Sequence, residues 1–351
     1  MEARDWLNVV AKAYASETDV WTHDGVTVRR MPGGTNNALF RIESDGRQYA
    51  CKLCVADERR RAAREYGVLD LLEMARANLA PQPLLLDESC AVLPFPVVIY
   101  RWLPGKPLGP SLTAGQLAAL LESIQRIHAI RQDAFEHNNL FDAWFHWFDF
   151  EPYLVELVDF LAQYGDWLAT HETNGQALRD RLARLVDGCA QVLARTTVDP
   201  GRGCFAACLC RVDANLANSI WDGDEPLRWV DWEYSGWGDP ALDLADMRWH
   251  VSWDGLSEAQ HAWLYDRYVR PADDPGFGTR LAVWDRLLST RWPFLILRAL
   301  WSADNGSDRV RLTRPGTDSV ELRTRLVCTI ERAEHFVLCQ DEPLDRSAGI
   351  L

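Results

Sequence analysis

Between residues 211 and 233 the chain reads Arg211-Val212-Asp213-Ala214-Asn215-Leu216-Ala217-Asn218, then Ser219-Ile220-Trp221, Asp222-Gly223-Asp224, and Leu227-Arg228-Trp229-Val230-Asp231-Trp232-Glu233. The two apolar runs flank a turn-forming trio and predict a short β-hairpin. Pairing those strands sets Asn218 beside Asp231. It leaves Asp213 on the irregular segment ahead of the first strand, where a carboxylate can face a cleft. Phosphoryl transfer needs this set: one acid accepts the proton of an acceptor hydroxyl, while an amide and a second acid hold the magnesium that bridges the phosphates. Taken alone, D-x4-N is a frequent pattern that equally describes a solvated loop with a helix cap.

A second signal comes from the other end of the chain. Met31-Pro32-Gly33-Gly34-Thr35-Asn36-Asn37 lies between the β-like runs Val26-Thr27-Val28 and Ala38-Leu39-Phe40-Arg41-Ile42, and Asp45-Gly46 turns into a third run ending Cys51-Lys52-Leu53. Paired glycines let a backbone approach phosphate oxygens, and Lys52 on the third strand supplies a cation for them. From 57 to 74 the pattern is helical, with Glu65, Leu69 and Leu72 on one face. An acid on an apolar face is costly unless paired, and Lys52 is its predicted partner. The alternative is a surface Glu near Arg61 and Arg64.

Gly33-Gly34-Thr35-Asn36, Lys52, Glu65, the stretch Val97 to Leu108, the D-x4-N loop, and Asp231-Trp232-Glu233-Tyr234-Ser235-Gly236-Trp237-Gly238-Asp239-Pro240-Ala241-Leu242-Asp243-Leu244-Ala245 together resemble the aminoglycoside phosphotransferase and choline kinase superfamily, from about residue 26 to 250. The resemblance implies Lys52 and Glu65 as the phosphate-anchoring pair, Gly33, Gly34, Thr35 and Asn36 with Asn37 as a phosphate-covering loop, and Tyr100, Arg101, Trp102 and Leu103 as the hinge meeting the base. It implies Asp213 as catalytic base, and Asn218 and Asp231 as magnesium ligands. The cofactors are then ATP, with GTP the other candidate donor, and Mg2+. One departure stands out: the family usually has His-Gly-Asp where this chain has Arg211-Val212-Asp213. The Arg can either hydrogen-bond the backbone before Asp231 or pair with Asp231 and compete with the metal. Val212 in place of Gly implies an ordinary φ.

The implied fold is α+β and two-lobed, protein-kinase-like: an antiparallel β-sheet N-lobe over residues 1–103 that binds nucleotide, and a mainly helical C-lobe over residues 104–351 with the catalytic loop and acceptor site. Length suits two lobes, and 48% hydrophobic residues suffice to fill them. A net charge of −14 argues against nucleic acid or an anionic membrane as partner and is compatible with a cationic small-molecule acceptor. The charged amino terminus lacks an apolar signal core and no run approaches the roughly 20 apolar residues of a membrane span, so a cytoplasmic location is expected. The nine cysteines read as reduced, mostly buried thiols, because Cys51-Lys52-Leu53-Cys54 across a strand lacks the turn spacing of a zinc site.

Leu103 to Pro110 reads as irregular, and Thr113 with Gln116 starts a helix running to about Ile130, inside which His128 reads as a hydrogen-bonded structural residue. Further helical patterns cover about 151–170, 175–196, 243–251, 257–270, 280–303 and 319–337. Asp243 reads as a helix cap that also reaches the catalytic-loop backbone. For the acceptor, the cluster Trp144, Phe145, Trp147, Phe148 and Phe150, with Trp249, Trp253, Trp292 and Trp301, admits a quaternary-amine cage or plain core packing. Glu233, Asp239 and Asp246 are the alternative receivers of ammonium groups. Three functions compete: an ATP-dependent small-molecule kinase, a catalytically impaired nucleotide-binding protein suggested by Arg211, and a protein kinase, for which the chain lacks Asp-Phe-Gly and Ala-Pro-Glu segments.

Overall fold

The computed structural model describes residues 4–32, 37–135, 138–145, 149–196, 205–223, 226–306 and 319–338. Helix α1 (Asp5–Ala15) precedes four strands, β1 (Val20–His23), β2 (Val26–Met31), β3 (Ala38–Ser44) and β4 (Arg47–Leu53). Then come α2 (Arg61–Met74), β5 (Pro83–Asp87) and β6 (Val97–Arg101). The six strands form one antiparallel sheet in the order β1-β2-β3-β4-β6-β5.

This sheet is buried on both faces, and strand alternation decides what each face carries. Cys51 and Leu53 of β4, with Val97 and Ile99 of β6, pack against Trp6, Leu7, Val10 and Ala13 of α1. Ala50 of β4, with Val98 and Tyr100 of β6, joins Val68, Leu69 and Leu72 of α2. Lys52 shares the Ala50 face by the same period of two, so it is aimed at α2. On that helix Glu65, Leu69 and Leu72 are all buried, as the spacing predicts.

After β6 the chain runs into β7 (Lys106–Pro107), which pairs with a later strand; the stretch read as irregular thus holds a two-residue strand. Helix α3 (Ala114–His128) opens with the predicted capping box between Thr113 and Gln116. Next come α4 (Glu151–His171) and α5 (Gly175–Ala194), then β8 (Cys208–Cys210), β9 (Ser219–Trp221), β10 (Arg228–Trp229) and β11 (Gly236–Gly238). Beyond these lie α6 (Pro240–Trp249), α7 (Glu258–Arg267), α8 (Phe277–Leu288), α9 (Arg291–Asn305) and α10 (Ser319–Leu338). The single helix predicted over 280–303 is two. Pro293 has no N–H to give the Ser289 carbonyl and its ring crowds that turn, so the chain restarts at Arg291.

Among the described residues no helix is long and apolar enough to cross a membrane. Five of the seven described cysteines are buried free thiols, and Cys90 and Cys328 are exposed.

Candidate active site

The predicted hairpin forms: β10 pairs antiparallel with β9, Trp229 opposite Ser219. The Val230 N–H donates to the Asn218 carbonyl at 2.9 Å, which sets Asn218 one residue from Asp231 across the ladder. Part of the turn, residues 224 and 225, lies outside the described residues.

Lys52 is the hub that joins this hairpin to the sheet. Its Nζ donates to Glu65 Oε2 at 2.6 Å and to Asp231 Oδ1 at 2.6 Å, with Glu233 Oε2 at 3.4 Å. Burial alone would discharge the ammonium, and the carboxylates of Asp231, Glu65 and Glu233 outweigh it, holding the Lys52 pKa well above its ordinary value. Glu65 experiences the same burial with one main cation to offset it, and its carboxyl is pushed up to about 7. The two shifts differ, since Lys52 keeps its charge firmly and Glu65 loosely; the 2.6 Å contact is an ion pair above about pH 7 and a hydrogen bond to a neutral carboxyl below it. The surface reading of Glu65 fails, because Arg61 turns instead to Glu233 and Asp57, and Arg64 to the carbonyls of Asp142 and Ser235.

Glu233 is therefore no receiver of a substrate ammonium: it is buried and taken by Asn37, Lys52, Arg59 and Arg61. Asp239 is likewise spent on Arg280 and on the Ala241 N–H, whereas Asp246 gives Oδ1 to Arg291 and its Oδ2 has no hydrogen-bond partner among the described residues. Asn37 does not face phosphate; its side chain bridges Glu233 and the Val55 N–H. Gly33, Gly34, Thr35 and Asn36 lie outside the described residues. At the predicted hinge, Tyr100 is buried on the α2 face, and the N–H groups of Arg101 and Trp102 already donate to the carbonyls of Gln82 and Gln48, so Leu103 is the first residue past those bonds.

The catalytic-loop segment is built from beneath. Strand β8 pairs with β11, Cys210 opposite Gly236, so Arg211 and Ser235 emerge together and the Ser235 hydroxyl donates to the Arg211 carbonyl. Gly236 is required there, since a Cβ would lie 2.3 Å from the Phe141 carbonyl oxygen. Asp243, fully buried in the first turn of α6, accepts the Arg211 N–H at 2.8 Å and the Val212 N–H at 2.7 Å. It does not cap α6; Asp239 does, through the Ala241 N–H. His128 completes the support, with Nε2 2.9 Å from Asp243 and Nδ1 2.8 Å from the Tyr268 hydroxyl. One ring nitrogen of His128 also lies within 4.8 Å of the Cys208 and Cys210 sulfurs, as in a metal group, but both ring nitrogens are engaged in these bonds.

Two expectations for the Arg-Val-Asp sequence resolve differently. Arg211 takes the backbone role: its Nη2 donates to the carbonyls of Asp213, Val230 and Asp231 at 3.1–3.2 Å, and its guanidinium lies over the rings of Trp229 and Trp232 at 4.5 and 4.3 Å. Burial lowers its pKa to about 10, still a cation at neutral pH. Val212 contradicts the expectation of an ordinary φ. It adopts φ 57°, the left-handed region where a β-branched residue is strained, and Asp243 clamps its N–H in that conformation.

Asp213 stands on this loop with its side chain 27% exposed, facing a cavity of about 210 Å³ that Val212, Tyr234, Asp246, His250 and Trp292 also line. Burial pushes its carboxyl up, but the hydrogen bond from His250, with the charges of Arg211 and Arg291, outweighs that and holds it below its ordinary value. Sequence reasoning missed His250 and Arg291, which carry no local motif and are brought in by the ends of α6 and α9. Of the residues considered for an aromatic cage, Trp144, Phe145 and Trp292 line this cavity, with Arg291 4.2 Å over Phe145 and Arg59 5.3 Å over Trp144; Arg59 also lies 3.8 Å over Tyr234. Trp249 and Trp253 are core, and Trp147 and Phe148 lie outside the described residues. A larger cavity of about 430 Å³ runs along Leu72, Arg76, Gln82, Trp102 and Arg228 and contains none of Lys52, Asp213, Asn218 or Asp231.

The chain matches no curated protein. Its architecture is similar to three solved structures. The choline/ethanolamine kinase family protein from Mesorhizobium loti is 18% identical, with 95% of this chain and 96% of that one covered and a TM-score of 0.58. The choline kinase LicA from Streptococcus pneumoniae is 17% identical, with 93% and 99% covered and a TM-score of 0.57. The spectinomycin phosphotransferase APH(9)-Ia, solved in complex with ADP and spectinomycin, is 13% identical, with 98% and 96% covered and a TM-score of 0.59. Residues 27–285 match the profile of the phosphotransferase enzyme family, a span that holds Lys52, Glu65, Asp213, Asn218, Asp231 and His250, and the chain belongs to that family.

Proposed function

We propose that this protein is a small-molecule kinase that transfers the γ-phosphate of ATP to a hydroxyl of its acceptor. The observation that carries the reading is the junction of Lys52 with Glu65 on one side and Asp231 on the other, next to an Asp213 that opens on a cavity. In this reading residues 1–103 are the nucleotide-binding lobe and residues 104–351 carry the acceptor site. Lys52, oriented by Glu65, neutralises the phosphates; residues 33–36 cover them; the backbone of Tyr100 to Leu103 meets the base.

Asn218 and Asp231 offer an amide and a carboxylate oxygen, hard donors of the kind Mg2+ selects, and Asp231 is 35% exposed. Magnesium held there would supply positive charge against the phosphates. On nucleotide binding the triphosphate takes Lys52 in place of Asp231. Asp213, kept ionised, orients the acceptor hydroxyl and receives its proton. With the Tyr234 and Phe145 faces already under guanidinium groups, the acceptor is read by hydrogen bonds more than by a quaternary-amine cage.

The competing reading, an impaired nucleotide-binding protein, rested on Arg211 reaching the Asp231 carboxylate. Its contacts with the carbonyls of Asp213, Val230 and Asp231 leave that carboxylate to Lys52 and the cleft, which favours catalysis. The test is a screen for acceptor-dependent ADP release, with ATP and with GTP, on the parent and on Asp213→Asn. Release that needs one small hydroxyl compound and vanishes in the variant supports the reading; binding of nucleotide without release for any acceptor favours the impaired protein.

A further inference from the structure

His250 sits at the end of α6, 8% exposed, with Nε2 3.2 Å from Asp213 Oδ1. Its other nitrogen is fully specified by its neighbours. The Ser252 N–H donates to Nδ1 at 3.2 Å, so Nδ1 carries a lone pair and the ring proton resides on Nε2, facing the carboxylate. The Ser252 hydroxyl is 2.8 Å from the same Nδ1 and accepts the Leu216 N–H at 3.0 Å, so its own proton points at the imidazole. A chain of contacts therefore runs from the Leu216 N–H through Ser252 and His250 to Asp213, its last link the 3.2 Å approach of Nε2 to Oδ1, and closes on the loop where it began.

Other contacts brace the same ring. Trp292 meets His250 edge to face at 5.0 Å, and the Trp253 indole N–H donates to the Ala214 carbonyl at 2.6 Å, tying the turn after α6 to the loop a second time. The imidazole has no rotational freedom left to spend, because its two nitrogens and its face are all engaged.

We infer that His250 is a positioning residue for the proposed phosphoryl transfer: through Nε2–H it holds Asp213 Oδ1, so that Oδ2 is the oxygen presented to the acceptor hydroxyl. A free aspartate rotates about its last side-chain bond and offers its two oxygens interchangeably. An aspartate pinned at one oxygen offers the other at a fixed place, and fixed placement of a base is where effective molarity comes from. The inference rests on the proposed kinase reading for its catalytic consequence, though not for the hydrogen-bond chain itself.

The experiment compares the parent, His250→Gln, His250→Phe and Asp213→Asn by steady-state ADP release, with thermal melting to confirm folding. The Gln amide can still donate to Asp213, whereas Phe keeps the ring and removes the donor. The expected result is a 10–100-fold lower kcat for His250→Phe with KM for ATP within about twofold, and recovery to within about fivefold of the parent for His250→Gln. Equal kcat in His250→Phe and the parent overturns the inference while leaving the kinase reading intact. A parent inert toward every acceptor overturns the kinase reading, and the histidine 15N spectrum then decides the inference. An Nε2 proton of His250 that exchanges with water faster in Asp213→Ala than in the parent supports it, and an unchanged exchange rate overturns it.

Discussion

Lys52 and Asp213 are held by opposite means. Lys52 is fixed by charge: Glu65, Asp231 and Glu233 converge on one ammonium, and Arg59 and Arg61 brace Glu233 from behind. Asp213 is fixed by direction: Asp243 grips two consecutive N–H groups, Arg211 gathers three carbonyls, and His250 touches the carboxylate itself. Coulomb attraction falls slowly with distance and ignores angle, whereas a hydrogen bond weakens steeply once it bends. The difference would suit the two tasks of the proposed kinase, in which a cation releasing Asp231 for phosphate needs a soft cradle and a base meeting one hydroxyl needs a stiff one.

The sharpest way to break this comparison is to neutralise the base. Asp213→Asn is expected to lower kcat by about 10²–10⁴, the range of a general base, with the nucleotide-induced melting shift retained; the ADP-release assay reads it. A variant that turns over like the parent removes Asp213 from the chemistry.

Removing the directional scaffold comes next. Arg211→Met leaves three carbonyls without their donor between two tryptophans, and Asp243→Asn turns an amide N–H₂ toward an N–H. Each should cost about 2–4 kcal/mol of unfolding free energy in urea titration. Losses below about 1 kcal/mol would mean the loop is held from elsewhere.

The ionic cradle should respond less, and with a pH signature. The Glu65 carboxyl, ordinarily near 4.5, is raised to about 7. The folded state then binds a proton that the unfolded state has released, so this group's contribution is full below about pH 4.5 and is lost as pH rises through about 7. Glu65→Gln removes that loss. Its stability relative to the parent should rise by roughly 2 kcal/mol between pH 5 and 8, with a net cost near pH 7 of under about 1 kcal/mol. A flat difference across that range would place Glu65 permanently in the ionised state.

The smallest effect tests the strain in the loop. Val212 is buried at φ 57°, so Val212→Ala loses packing and keeps the left-handed backbone, while Val212→Gly loses packing and relieves it. Glycine ordinarily costs up to about 1 kcal/mol more than alanine; here Val212→Gly should be as stable as Val212→Ala or more so by about 1 kcal/mol. The ordinary order would show the loop to be unstrained.

What was legible in the chain follows the same division. The Lys52–Glu65 pair could be read because two short periods, two along β4 and 3.6 along α2, each point one residue inward, and the hairpin of Asn218 and Asp231 announced itself by its turn residues. The loop around Asp213 could be read as a motif but not as a geometry. Its φ at Val212 depends on Asp243, thirty-one residues away, and its carboxylate on His250, which sits on no recognisable pattern. Helix α1 goes unread in the sequence: its Trp6, Leu7, Val10 and Ala13 form one apolar face whose meaning depends on the sheet it covers. The break between α8 and α9 was overlooked because the apolar pattern runs through it, and Pro293 was the available cue.

In the proposed kinase, Asp231 would leave Lys52 and, with Asn218, hold magnesium beside the nucleotide. A thermal-melting titration with ATP, with and without Mg2+, on the parent and on Asp231→Asn tests it most directly. The account predicts a magnesium-dependent rise in Tm for the parent that the variant loses. An equal rise in both proteins, or none in the parent, would contradict it.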